Sequence, residues 1–252
     1  MINIEKIMYV SVYTKNISMN TVGMKSFHTD KRRIMHLISK SDVESVQISN
    51  LLIKTGARNT VYTKTMNLWQ KNRKKTDNAF LFANCALASV YEETVASERH
   101  KYLSMAIAVL SDCIEERSDW WMARFLRGGA LQAIVISSDG QLLQPNGKED
   151  DLDILIRMQN ESKEKEPYFL CTYLLKAKSC IFQGNVDGAL ETIQEGLTSV
   201  TPGTVKYPLN VLLQPFGDTI MILRSLKMEE MAESVKNFGL ILFPKSNSLT
   251  IF

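Results

Sequence analysis

Residues 169–202, FLCTYLLKAKSCIFQGNVDGALETIQEGLTSVTP, decide the fold. Leu170, Tyr173, Leu174, Ala177 and Ile181 recur at spacings of three and four, the mark of one buried helical face. Gln183-Gly184-Asn185 breaks the run as a short turn. Val186, Ala189, Leu190, Ile193 and Leu197 then restart the same period. Two helices joined by so short a turn must double back, so the stretch predicts an antiparallel hairpin. Small Ala177, Ala189 and Gly196 let the two helices cross closely, while bulky Tyr173 and Ile193 fill the adjacent layer.

The same pattern extends outward in both directions. Toward the N-terminus lie the runs Phe80–Cys85–Leu87–Ala88–Tyr91, Tyr102–Leu103–Ala106–Leu110–Cys113–Ile114, Met122–Phe125–Leu126–Gly129–Ala130–Ala133–Ile134, and Leu152–Leu155–Ile156–Gln159. The last follows Glu149-Asp150-Asp151, acids suited to the positive end of a helix dipole. Toward the C-terminus come Phe216–Ile220–Leu223 and Met231–Ala232–Val235–Leu240. The breaks are turn dipeptides and prolines. Asp139-Gly140 and Asn146-Gly147 sit in a long loop over residues 137–148, Pro167 follows a charged run, and Pro202, Pro208 and Pro215 crowd one connection. The expectation is about eight helices past residue 76, taken in pairs, with no strand.

A repeat is visible within this series. In 213–244 Phe216 supplies an early aromatic, Ala232 a small residue, Gly239 another seven later, and Pro244 a closing proline. Ala189 and Ala232 are 43 residues apart, and residues 203–211 read as the inserted stretch that would leave Pro215 in a first helical turn. On these residues the chain resembles a tetratricopeptide (TPR) repeat protein over residues 78–244. The resemblance implies an all-α, right-handed superhelical solenoid of about four antiparallel helical hairpins, preceded by a basic, partly irregular N-terminal segment. It also implies a concave groove, lined by the first helix of each hairpin, that holds a peptide or a partner helix. The groove candidates are Leu174, Lys178 and Phe182 on one helix and Gln214, Met221 and Arg224 on the next. The family's carboxylate-clamp pattern is not reproduced by the facing positions Leu174, Lys178, Gln214 and Asp218, so binding of an acidic chaperone tail is not expected.

Charge divides the 252 residues. The whole chain carries +3, but residues 1–75 hold 14 Lys/Arg against 4 Asp/Glu, and residues 76–252 hold 16 against 23. A +10 segment therefore precedes a −7 segment, with the boundary at the run Lys71-Asn72-Arg73-Lys74-Lys75. The expected organisation is a basic segment over 1–75 and a helical-repeat domain over 76–252. Residues 7–14 are β-branched and aromatic enough for a strand, residues 40–55 and 59–74 can be drawn as helices, and Ser41 with Glu44 would form a capping box. Lys71, Arg73, Lys74 and Lys75 are candidate contacts to phosphate, against the alternative of a solvated cationic arm.

No residue pattern points to catalysis. His28, His36 and His100 are not spaced as a metal pair. Cys85, Cys113, Cys171 and Cys180 form no C-x-x-C pair and lie in apolar helical runs, as reduced buried thiols do. Gly128-Gly129 sits inside an apolar run and reads as close packing rather than a phosphate loop. Ser162-Lys163-Glu164-Lys165 matches S-x-x-K without the companions that chemistry needs. No run of about 20 apolar residues is present for a membrane span. The expectation is therefore a non-catalytic protein–protein interaction module, an adaptor or assembly factor, cytoplasmic, with no cofactor, no metal and no membrane partner. The alternative is a nucleic-acid-binding regulator that uses the basic segment and senses a peptide or protein with its repeats.

Overall fold

The computed structural model describes residues 58–73, 75–137, 150–162, 167–203, 212–244 and 249. Among the described residues the regular elements are all helical, with adjacent helices packed together. The proposed strand at 7–14, the helix at 40–55 with its capping box, and the loop after Ser137 lie outside the described residues. The chain divides into two compact units, one covering Thr21–Asp151 and the other containing Leu152–Phe252.

In the first unit, α1 (Arg58–Lys71), α2 (Thr76–Glu92), α3 (Ala96–Glu116) and α4 (Trp121–Ser137) follow one another, each packed on the next. The central position belongs to α2. Its sequence, TDNAFLFANCALASVYE, is apolar nearly all round, as a helix flanked on both sides must be. Ala79, Phe80, Leu81, Phe82, Ala83, Cys85 and Ala86 are all buried. Its buried polar groups are satisfied by its own backbone: Asn84 Nδ2 donates to the Phe80 carbonyl and Ser89 Oγ to the Cys85 carbonyl, both at 2.9 Å.

On one side, α1 covers α2 with aromatic rings. Trp69 stacks on Phe82 at 5.2 Å, and Tyr62 meets Phe82 at 5.2 Å and Tyr102 at 5.1 Å. On the other, Leu103, Ala106, Val109, Leu110, Cys113 and Ile114 are the buried residues of α3. Trp120, just ahead of α4, lies 4.4 Å from Phe80. The charge boundary at residue 75 thus falls in a turn between two packed helices.

The second unit begins inside α5 (Asp151–Glu161), after its first residue. Pro167 opens a 3₁₀ turn (Pro167–Phe169) that leads into α6 (Leu170–Phe182), and α7 (Val186–Ser199) packs on α6. Next come α8 (Leu213–Ser225) and α9 (Glu229–Leu242), again packed together, and α8 also packs on α6. Pro215 lies in the first turn of α8, where its missing N–H costs no hydrogen bond.

These two helix pairs share one geometry at an interval of 43 residues. After α6, Gly184 N donates to Ile181 O and Asn185 N to Cys180 O; after α8, Lys227 N donates to Arg224 O and Met228 N to Leu223 O. The central turn residue has a positive φ in both, 79° at Gly184 and 61° at Lys227. The second helix of each pair then starts with an equivalent bond, Ala189 N to Asn185 O and Ala232 N to Met228 O, and ends with Val200 N to Gly196 O and Phe243 N to Gly239 O.

Packing repeats as well. A Cβ on Gly196 would lie 2.7 Å from Tyr173 Cβ, and one on Gly239 would lie 2.9 Å from the Phe216 ring. Tyr173 and Phe216 are themselves 43 residues apart, and both are fully buried. The pairs differ at the caps. Asn185 Oδ1 accepts from Gly188 N at 2.9 Å, whereas Met228 caps α9 with no side-chain hydrogen bond.

Lys227 carries a left-handed conformation that its Cβ disfavours and that glycine adopts freely. Lys227→Gly is expected to raise stability by about 1 kcal/mol, and Gly184→Ala to lower it by about as much. Urea denaturation midpoints at constant m-value measure both.

Candidate functional site

The proposed groove lies in the second unit, where α6 and α8 pack side by side. Leu174, Lys178 and Phe182 follow one another at four-residue steps along α6, one stripe of the helix. Leu174 is fully buried and Lys178 nearly so, while Phe182, Gln214, Met221 and Arg224 are part-exposed. Lys178 Nζ donates to Asp218 Oδ2 at 2.5 Å, joining α6 to α8. The two side chains keep only 11% and 7% of their exposure, so this ion pair is largely removed from water. The Lys178 ammonium also sits 5.9 Å from the centre of the Phe182 ring.

Arg224 turns the other way. Its Nε donates to Glu229 Oε1 at 2.9 Å and its Nη2 to Glu233 Oε1 at 2.5 Å, which ties α8 to α9 within one helix pair. The structure therefore brings Lys178 together with Phe182 and with Asp218, and directs Arg224 toward α9. Gln214 and Met221 are the other part-exposed candidates on α8. Two facing positions read from the sequence, Lys178 and Asp218, meet directly. That they neutralise each other follows from burial, which spacing alone does not report.

The acidic cluster ahead of α5 is answered by basic groups. Asp151 is buried and accepts from Arg127 Nε at 2.7 Å, Arg127 Nη2 at 2.8 Å and Arg124 Nη1 at 3.1 Å. Arg127 Nη1 also donates to Ser111 Oγ at 2.9 Å, and Arg124 Nε to the Ser118 carbonyl at 2.9 Å. This arrangement ties α3 and α4 to Asp151. In the second unit, Asp153 accepts from Lys176 Nζ at 2.8 Å. Among the described residues no group of three or more His, Cys, Asp and Glu gathers as a metal site would. Among them, too, no helix is long and apolar enough to cross a membrane.

The basic candidates sit at the α1–α2 turn. Lys71, Arg73 and Lys75 are exposed, and Lys74 lies outside the described residues. The Arg73 guanidinium stands 5.2 Å from the Trp69 ring centre, on the helix whose other contacts hold α2. His100 is exposed on α3, and His28 and His36 lie outside the described residues.

All four cysteines are free, with Cys85, Cys113 and Cys171 buried and Cys180 partly so. Burial pushes the Cys85 thiol up to about 12, against a smaller opposing effect from its hydrogen bond with Thr65. Burial raises the Cys171 thiol as well, and its Sγ donates to the Leu212 carbonyl at 3.4 Å. These are packing thiols, since the reactive form is the thiolate. Burial is also the main cause that raises the Tyr62 and Tyr173 phenols.

No known protein family, curated protein or solved structure matches this chain.

Two outcomes are expected of these buried groups. Asp151→Ala leaves two guanidiniums facing each other without their carboxylate, and should lower stability by about 3 kcal/mol in urea denaturation. The second concerns pH. A thiol that ionises near 9.0 in the unfolded chain and about 12 in the fold stabilises the protein fully below pH 9, and that contribution is lost as pH rises from 9 toward 12. The raised Tyr62 and Tyr173 add to the loss above pH 10. Thermal midpoints should therefore fall above pH 9, and Cys85→Ala should flatten part of that fall.

Proposed function

We propose that this chain is a non-catalytic, TPR-like helical-repeat protein that binds a peptide or partner helix along the face formed by α6 and α8. The observation that carries the reading is the 43-residue recurrence of turn, cap bond and close glycine–aromatic contact in α6–α7 and α8–α9. Repetition of a helix pair is how a chain builds an extended surface, because each pair leaves one face for the next. Extended toward the N-terminus over α2–α5, the same plan would make a right-handed solenoid of about four hairpins. Phe182, Gln214 and Met221 supply part-exposed apolar and amide groups on the first helices, which suits a partner helix or extended peptide. Internal pairing of Lys178 with Asp218 argues against a purely acidic ligand there. Four free thiols favour a reducing, cytoplasmic setting.

A second reading rests on the exposed Lys71, Arg73 and Lys75, which would give a nucleic-acid-binding regulator.

The full chain serves as bait for both readings, because α1 packs on α2 and trimming at residue 75 would bare Phe82. Phe182→Ala/Gln214→Ala/Met221→Ala is expected to weaken capture of the co-purified partner at least tenfold while leaving the thermal midpoint within a few degrees. Lys71→Ala/Arg73→Ala/Lys74→Ala/Lys75→Ala should leave that capture unchanged. The reverse pattern, with binding that falls steeply with salt and is lost in the lysine–arginine variant, would establish the nucleic-acid reading instead.

A further inference from the structure

We propose that the buried Lys178–Asp218 pair sets the register in which α8–α9 stacks on α6–α7. This goes beyond the binding role and depends only on the packing of α6 against α8.

The two helix pairs are alike where they build themselves. Tyr173 corresponds to Phe216, Ala189 to Ala232 and Gly196 to Gly239, always 43 residues on. They differ where they meet. Lys178 corresponds to Met221, and Asp218 corresponds to Leu175. Each pair thus carries one charge at a position where the other carries an apolar side chain. The two charges come together once, between α6 and α8, in a contact that no equivalent position duplicates.

Apolar contact between α6 and α8 does not by itself choose one alignment. Hydrophobic burial is non-directional, so it penalises a slip of one turn far less than parting a buried charge pair does. The ion pair removes that freedom. A slip of one turn moves the carboxylate about 5 Å along the helix and leaves two buried charges apart. Neighbouring charges are engaged elsewhere: Lys176 with Asp153, and Arg224 with Glu229 and Glu233. A pair of this kind contributes little net stability over apolar residues of similar size, but it excludes the alternatives.

The test compares Lys178→Met, Asp218→Leu, the double variant Lys178→Met/Asp218→Leu, and the swap Lys178→Asp/Asp218→Lys, all in the full chain. Each single change should lower the folded-to-unfolded ratio 100-fold or more in urea denaturation, because it strands a buried charge. The double variant should recover most of that ratio, and its amide spectrum should show more than one set of signals for α8 and α9. A double variant that keeps one sharp set, like the parent, overturns the proposal. If the double variant does not fold, the swap decides. One restored set of signals supports the pair as the register determinant, and an unfolded swap overturns it.

Discussion

The second unit depends on how closely two helices pass at one point. Gly196 sets the backbone of α7 against Tyr173 on α6, and Gly239 does the same for α9 against Phe216 on α8. There is no room for a methyl group at either place. The aromatic ring is buried because the glycine is bare, and the glycine tolerates its helical position because the ring covers it. From that contact follow the crossing of the pair, the length of the turn that joins it, and the outer faces left over for the neighbouring pair. α2 meets the same demand in the first unit by another route. It is apolar nearly all round, and takes aromatic cover from α1 on one side and the aliphatic face of α3 on the other.

Among the described residues, several charges are paired at close range. Asp151 is enclosed by Arg124 and Arg127, Asp153 meets Lys176, Asp218 meets Lys178, and Glu229 and Glu233 meet Arg224. Most of these pairs join one helix to another rather than one turn to the next. Their value lies less in net stability than in fixing which surfaces belong together, because a buried charge without its partner is costly in any other arrangement. An acidic residue that reads from sequence as part of a helix-dipole cap becomes, at Asp151, a buried acceptor for Arg124 and Arg127. A lysine that reads as a groove contact becomes, at Lys178, one half of an internal pair.

Much of the fold is legible in the residues. The apolar runs from Phe80 to Leu240 mark α2 through α9, Gly184-Asn185 marks a turn, and Pro215 falls in a first helical turn as its ring requires. The 43-residue spacing of Ala189 and Ala232, and of Gly196 and Gly239, was also visible, because small residues at crossings are a local signature. The second turn was harder to see. Leu226-Lys227-Met228 has the geometry of Gln183-Gly184-Asn185 without a glycine or a capping side chain, so its composition carries no turn signal. The burial of Phe238 on α9 is likewise not visible in the residues around it, since Phe216 of α8 lies 6.3 Å away across the pair.

By itself the sequence determined that this protein is helical, where most helices begin and end, and that two of its helix pairs are built alike, because periodicity, turn residues and small residues act within a few positions of one another. The tertiary structure alone decided which of the candidate side chains stay exposed. Leu174 disappears into the core, Lys178 is claimed by Asp218, Arg224 is claimed by α9, and Phe182, Gln214 and Met221 are left part-exposed. The physical reason is that burial and charge pairing depend on other helices: Lys178 meets Asp218 on α8, 40 positions away, and Arg224 meets Glu229 and Glu233 on α9.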